Sequence, residues 1–269
     1  MKQFSIIHIP PLSFFSKDLC RDIALNWRGV NFLYLLLLLA VCWIPLIIKL
    51  DKSFSQFIDE DIPPIVNQIP EIKITNGEVS IKEAQPYYIK GPKNDKALAI
   101  IDTTGTITSL DVSDAKCLVT KTAVTTRESP YQTRTFNLTN VKNFVLTRDD
   151  VTGWAKTCKK LFIPVVYPFA LISSFIYRII QVLLYAGIGI LFATRRNIFL
   201  SYAAMLRLSV VAVTPCIIIS TVLLSAQVSL QYDYLIYFLL AMAYLLFGIK
   251  AASAAASERQ TQPPANSEI

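Results

Sequence analysis

The sequence predicts a membrane protein with four spanning helices and a small α+β, mainly β, extracytoplasmic domain inserted between spans one and two. The first observation behind this fold class is composition: the 269 residues are 53% hydrophobic, with a mean hydropathy of +0.46. A soluble globular protein is less apolar than this. The second is that four long apolar segments are interrupted, after the first, by one polar insertion. The third is that hydrophobic and polar residues alternate inside the insertion, as they do in β-strands.

These changes in composition divide the chain into five segments. They are a cytoplasmic N-terminal segment with an amphipathic interfacial helix (1–30), the first spanning helix (31–50), the extracytoplasmic β-rich domain (51–160), spanning helices two to four (161–250) and a disordered cytoplasmic tail (251–269).

The N-terminal segment contains a helix signal. Ser16 is a good helix N-cap, and the following helix would carry Leu19, Ile23 and Trp27 on one face, with its basic residues away from that face. Such a helix suits the membrane surface. Packing of the same face on other parts of the protein fits the pattern equally well.

The spanning helices follow from apolar length, since about 20 residues cross the hydrocarbon of a bilayer. Residues 32–48 carry no charge and are interpreted as an uncleaved signal anchor. The apolar stretch 161–194 is too long for one crossing, so the span is counted back from Arg195-Arg196 to about Ser174. The third and fourth spans are predicted at 208–224 and 234–247.

The insertion is predicted to be β-structure. Ile72 and Ile74 before Asn76-Gly77, and Val79 after it, alternate with polar residues, and Asn-Gly between two such runs is a strong hairpin signal. Residues 98–101, 118–126, 136–138 and 144–146 extend this pattern to about five strands. A short helix through Trp154 is expected to lead into the membrane.

Three motifs in the insertion carry a family resemblance: the hairpin sequence at 70–81, Pro-Tyr-Tyr-Ile at 86–89 and Ile-Ile-Asp-Thr-Thr-Gly at 100–105. The chain resembles a bacterial membrane family catalogued as domain of unknown function 1189, some of whose members carry the label maltodextrin utilisation protein. The resemblance implies an integral membrane protein, and it supplies no catalytic residues.

The distribution of Lys and Arg predicts the orientation. Seven basic residues precede spans one and three (Lys2, Lys17, Arg21, Arg28, Arg195, Arg196 and Arg207), whereas residues 225–231 contain none. By the positive-inside rule both termini are cytoplasmic and the insertion is exported. The resemblance to a bacterial membrane family then implies a bacterial inner membrane. Basic helix flanks also account for the net charge of +7, so the expected partner is the lipid bilayer and not nucleic acid.

Motifs for catalysis are missing from the sequence. His8 is the one histidine, and the chain has no nucleophile elbow, zinc-protease motif, phosphate-binding loop or Cys-x-x-Cys. Asp102-Thr103-Thr104-Gly105 superficially resembles the Asp-Thr-Gly of aspartic proteases but contains an extra threonine, and a strand end turning on Gly105 is the favoured interpretation. We therefore expect no enzyme activity, no cofactor and no metal.

Five residues of the insertion have candidate roles. Tyr87 and Tyr88, with Asp102, form a candidate partner or ligand surface; alternatively, one tyrosine ring packs in the core and the other covers a turn. Cys117 and Cys158 are both predicted on the exported side, where either a disulfide or two free thiols would fit.

Arg178 is the charged residue inside the second apolar stretch. Close to the outer boundary its side chain could reach lipid phosphate or Asp233, so we interpret the two residues as a structural pair.

Two functions remain from different classes. The first is a non-catalytic accessory or scaffold protein whose exported β-rich domain binds a protein partner in the membrane or periplasm. The second is a component of a transport system, with carbohydrate uptake suggested by the family label.

Overall fold

The computed structural model describes residues 3–92, 96–129, 131–195, 198, 200–228 and 230–261. The chain divides into two compact units: a helical unit (Met1–Lys49 and Pro164–Ile269) and an inserted unit (Leu50–Ile163). Four helical stretches are long and apolar enough to cross a membrane: Phe32–Val66, Arg148–Arg195, Tyr202–Ser225 and Asp233–Ala254. The prediction of four such helices, with a small β-rich region between the first and second, is confirmed.

Seven α-helices are found in the described residues. They are α1 (Ile9–Leu12), α2 (Lys17–Asn26), α3 (Phe32–Gln56), α4 (Ile62–Val66), α5 (Arg148–Arg195), α6 (Tyr202–Ser225) and α7 (Asp233–Thr261). A π-helical turn, Phe57–Asp61, joins α3 to α4. The prolines at 45, 164 and 168 lie inside α3 and α5 without ending them.

The core of the helical unit is built around α6, in which every residue from 204 to 217 is buried. The Tyr34 hydroxyl of α3 hydrogen-bonds the Thr214 hydroxyl of α6 at 3.2 Å. On α5, a Cβ added to Gly189 would lie 2.7 Å from Met205 Sδ, so glycine lets α5 and α6 approach closely.

The predicted N-terminal helix is α2, and its apolar face is covered by protein. The Ser16 hydroxyl accepts a hydrogen bond from the Leu19 N–H, as expected for an N-cap. Leu19 and Ile23 are fully buried in the same core as α6 and α7, and Trp27 is also buried. Packing on protein, the second alternative raised by the sequence, is therefore what the apolar face does.

Among the described residues of the inserted unit, eight strands form two sheets. They are β1 (Ile72–Thr75), β2 (Glu78–Ser80), β3 (Tyr87–Lys90), β4 (Ala97–Ile101), β5 (Cys117–Val119), β6 (Ala123–Ser129), β7 (Gln132–Asn137) and β8 (Asn143–Leu146). The strand orders are β2-β1-β8 and β3-β4-β5-β6-β7. Only β4 and β5 pair in parallel among these described strands. The main hydrophobic cluster is small, with Ile100, Leu110, Ala115 and Leu118 fully buried or nearly so.

Three expectations about element boundaries need correction. The estimate of about five strands is too low, partly because residues 118–126 form two strands separated by a turn. The short helix through Trp154 is instead the first part of α5, whose 48 residues extend about 72 Å, more than twice the hydrocarbon thickness. The tail predicted to be disordered from residue 251 is helical to Thr261, and residues 262–269, like Arg196, lie outside the described residues.

The predicted Asn-Gly hairpin is confirmed, since it joins β1 to β2. Asn76 and Gly77 have φ of 50° and 81°, the left-handed conformation that a two-residue hairpin turn requires. A Cβ on Gly77 would lie 2.6 Å from the Thr139 Cα and 3.0 Å from the Leu138 carbonyl oxygen. Glycine is thus required for both conformation and space.

We predict that Gly77→Ala lowers the free energy of unfolding of the inserted unit by about 3 kcal/mol, from backbone strain plus the steric clash. Gly105→Ala is the matched control, because Gly105 also has positive φ (85°) but has no atom within 4 Å of an added Cβ. It should cost about 1 kcal/mol. Pulse proteolysis of the full-length protein in detergent measures both. Equal losses would contradict the close approach at Gly77.

Candidate functional site

Asp102 directly follows β4 and is fully buried. Its Oδ1 accepts hydrogen bonds from the N–H and hydroxyl of Thr104, and its Oδ2 accepts one from the Ile107 N–H. Burial raises the pKa of the Asp102 carboxyl, but these bonds, with one from the Gly105 N–H, outweigh burial and bring the pKa below its ordinary value. The carboxylate organises its own loop, which corrects the prediction that Asp102 belongs to a partner or ligand surface.

The two adjacent tyrosines of β3 have different environments. The Tyr87 hydroxyl donates a hydrogen bond to the Gln68 carbonyl at 2.7 Å and is half-buried. Tyr88, on the opposite face of the strand, is 47% exposed. Tyr87 therefore has a structural contact, whereas a ligand or partner role for Tyr88 stays a prediction.

Cys117 and Cys158 are both free thiols, so the candidate disulfide is not formed. Cys117 lies half-buried in β5, and Cys158 is exposed on α5. Burial raises the pKa of the Cys117 thiol, which disfavours the reactive thiolate.

Arg178 lines a cavity of about 470 Å³ inside the helical unit, which we call the Arg178 cavity. Its walls come from α5, α6, α7 and the loop between α6 and α7. The polar lining residues are Tyr177, Arg178, Gln181, Ser220, Asp233, Tyr234 and Tyr237, and the apolar ones are Leu223, Leu224, Val228 and Leu230. A cation, a carboxylate and several hydroxyls thus converge on one space of the size that small molecules occupy in proteins.

The predicted Arg178–Asp233 pair is not formed, although both residues line this cavity. Arg178 Nη1 donates to Gln181 Oε1 at 2.5 Å, and the guanidinium lies 5.5 Å from the centre of the Tyr177 ring. Asp233 Oδ1 accepts a hydrogen bond from the Tyr234 N–H at the start of α7. Each charge is held by groups close to it in sequence, and this local bonding replaces the predicted ion pair.

Gln181 and Tyr185 form a polar row with Arg178, in which the contact to Tyr185 was not predicted from the sequence. Gln181 Nε2 donates to the Tyr185 hydroxyl at 2.8 Å, and the Tyr185 ring packs edge-on against Phe238 of α7. The spacings of three and four residues were the available signal, because they place side chains on one helix face.

An open sheet edge is the second candidate site. Strand β7 is the last strand of the five-stranded sheet, and all six of its residues are exposed. Within the described part of the chain, one row of its backbone donors and acceptors has no strand partner. Tyr131, in the turn before β7, is 100% exposed, and Phe136 on β7 is 50% exposed. Such an edge can accept a strand from another protein.

Comparison with known proteins gives a family but no function. A family model described as "Protein of unknown function (DUF1189)" matches residues 11–249. An uncharacterised protein of Rickettsia prowazekii (strain Madrid E) is 25% identical over 213 residues, which cover 70% of this chain and 74% of that protein. No solved structure matches the chain.

We predict that Arg178→Lys preserves the abundance and function of the protein, because lysine retains the charge and a donor for Gln181. Arg178→Gln should cost about 1 kcal/mol of stability through loss of the charged hydrogen bond. The exposed Arg195 offers a control, Arg195→Gln, with the same change in charge. Membrane abundance and complementation of a deletion strain are the measurements. Loss of function at normal abundance in both Arg178 variants would contradict a structural role.

Proposed function

The chain belongs to the DUF1189 family of proteins of unknown function, so we infer its role from its own residues. We propose that it is a non-catalytic protein of the bacterial inner membrane. In this proposal the inserted unit is extracytoplasmic and binds a protein partner. The protein acts as an accessory or scaffold in an envelope or uptake process.

The orientation is supported by the Lys and Arg residues that flank the helices. The described loop between α6 and α7 contains neither, whereas Arg195 ends α5 and Arg207 lies in the second turn of α6, so both flank the loop before α6. A loop rich in Lys and Arg stays in the cytoplasm. With four spanning helices, an inserted unit between the first and second is then exported.

The open edge of β7 is the observation that carries the binding role. The Leu138 N–H donates to the Thr122 carbonyl, so the alternation of an antiparallel ladder turns the N–H groups of Thr133 and Thr135 away from β6. Adding a strand there would satisfy these groups through main-chain hydrogen bonds. The exposed Phe136 side chain supplies apolar area next to the edge.

A non-catalytic role is supported by the contacts of Asp102, the carboxylate whose sequence context most resembles a catalytic motif. Asp102, in the motif that resembles an aspartic protease, has its oxygens bonded within its own loop. Its low pKa keeps it ionised at neutral pH, so it does not supply a proton there.

A role in transport is the second candidate, and the Arg178 cavity favours it. Ionisable groups within spanning helices commonly mark solute or ion pathways. Here Arg178, Gln181 and Asp233 face one cavity in the helical unit.

We predict that a cysteine at position 131 is labelled from outside the cell. Tyr131→Cys is made with Cys158→Ser, which removes the other exposed thiol of the inserted unit. A membrane-impermeant maleimide should label it in intact spheroplasts, whereas Ala254→Cys on the exposed surface of α7 should need permeabilisation. The reverse pattern would overturn the proposed orientation.

We predict that partner binding depends on the outward N–H of residue 135. A photoreactive phenylalanine analogue replaces Phe136, and cross-links are compared in Thr135→Pro and Thr135→Val. Both changes remove the Thr125–Thr135 hydroxyl contact of 3.0 Å, but only proline removes the N–H. A discrete cross-linked product should persist with valine and fall about tenfold with proline, which corresponds to one main-chain hydrogen bond.

Unfolding temperature is measured for both Thr135 variants, since proline is tolerated in an edge strand and should leave the sheet intact. Equal cross-linking in the two variants, or no discrete product in either, would refute strand addition at β7.

A further inference from the structure

A second cavity of about 470 Å³ lies in the helical unit, between the start of α2 and residues 247–254 of α7. We call it the basic cavity. It is lined by Lys17, Asp18, Arg21, Phe247, Lys250, Ala251 and Ala254.

The charges around the basic cavity favour an anion. Three cations and one carboxylate line it, and Lys17 and Lys250 are exposed. Lys17 and Asp18 also belong to the first turn of α2, where the helix dipole is positive. The Lys17 ammonium at the start of α2, together with that of Lys250, matches a phosphate, whose oxygens accept several hydrogen bonds at once.

The remaining walls are apolar and come from a spanning helix. Phe247, Ala251 and Ala254 lie in or next to the last turns of the membrane-spanning stretch Asp233–Ala254. A soluble phosphate would leave these walls unused. A phospholipid would place its acyl chains along the apolar part of α7 and its phosphate beside Lys17 and Lys250.

The two sides of the cavity are held in place by packing. Cys20 and Ile23 of α2 are buried with Leu245 and Ile249 of α7 in one core. Gly248 of α7 faces Cys20, since a Cβ there would lie at van der Waals distance, 3.7 Å, from Cys20 Sγ. The backbone that carries the basic side chains is thus already fixed by helix packing, so binding requires little further ordering of the backbone.

We propose that the basic cavity binds the phosphate group of an anionic phospholipid. The recognised chemistry is a phosphate ester, and free inorganic phosphate is the other source of that chemistry. The site is independent of the β7 edge and of the Arg178 cavity.

The test uses the full chain in detergent with three additions: dioleoyl-phosphatidylglycerol, dioleoyl-phosphatidylcholine or inorganic phosphate. The variant is Lys17→Gln/Lys250→Gln. The control is Arg28→Gln/Arg195→Gln, which removes two exposed positive charges that do not line the cavity. Lipid titration with native mass spectrometry gives dissociation constants, and thermal unfolding checks that each variant is folded.

Phosphatidylglycerol should bind the parent and the control variant with the same dissociation constant. It should bind the cavity variant about 30-fold more weakly, because each lost lysine raises the dissociation constant about fivefold. Asp18→Asn should tighten binding about fivefold, because it removes the carboxylate of the lining. Phosphatidylcholine and inorganic phosphate should each bind the parent about fivefold more weakly than phosphatidylglycerol does.

Binding of inorganic phosphate as tight as that of phosphatidylglycerol, and equally sensitive to the lysine changes, would assign the cavity to soluble phosphate and overturn the lipid assignment. Equal weakening in the cavity and control variants would show attraction to net charge alone. Equal binding of phosphatidylcholine and phosphatidylglycerol would overturn the proposal as well, since the site would then not select charge.

Discussion

The buried guanidinium of Arg207 is the contact on which the arrangement of the N-terminal helices depends. Arg207 lies on α6, is 8% exposed and donates hydrogen bonds to the carbonyls of Ile23, Ala24 and Gly29. The last carbonyls of a helix have no partner within it and carry the negative end of its dipole. Breaking these contacts would leave a buried charge unsatisfied, which is costly, so α2 has to end beside α6. The apolar face of α2 then packs against α6 and α7, and Lys17 lies at the same cavity as Lys250.

A buried carboxylate completes this N-terminal layer. Asp22 accepts hydrogen bonds from the backbone N–H groups of Gln3 and Phe4 and from the indole of Trp27. Burial raises its pKa, but these bonds and one from Asn26 outweigh burial and lower it. The carboxylate therefore remains ionised at neutral pH and ties the chain before α1 to the end of α2. Two buried charges of opposite sign, each satisfied by backbone or neutral side chains, fix a segment for which the membrane surface was one of the two alternatives predicted from the sequence.

Local signals predicted local structure well, and pairings between distant residues could not be predicted. Ser16 and Asn76-Gly77 act on neighbouring backbone, and their roles are as expected. Strands of three or four residues, such as β5, contain too few alternations to be separated from their neighbours. The partners of Arg178 and Arg207 depend on how helices pack, and Arg207 looked like one more basic flank because its carbonyl partners carry no side-chain signature.

Arg178 and Arg207, both in the helical unit, use their N–H donors differently, and this difference bears on the proposed transport role. An arginine has five N–H donors. Arg207 gives three hydrogen bonds to carbonyls and lines neither the Arg178 cavity nor the basic cavity. Arg178 gives one, to Gln181, while lining the Arg178 cavity and a smaller one of about 130 Å³. Donors left over in a half-buried site can be satisfied by water or by a solute. Because β7 and Arg178 belong to units with separate cores, changes at the two sites should act independently, so variants at β7 test the proposed binding role and variants at Arg178 the proposed transport role.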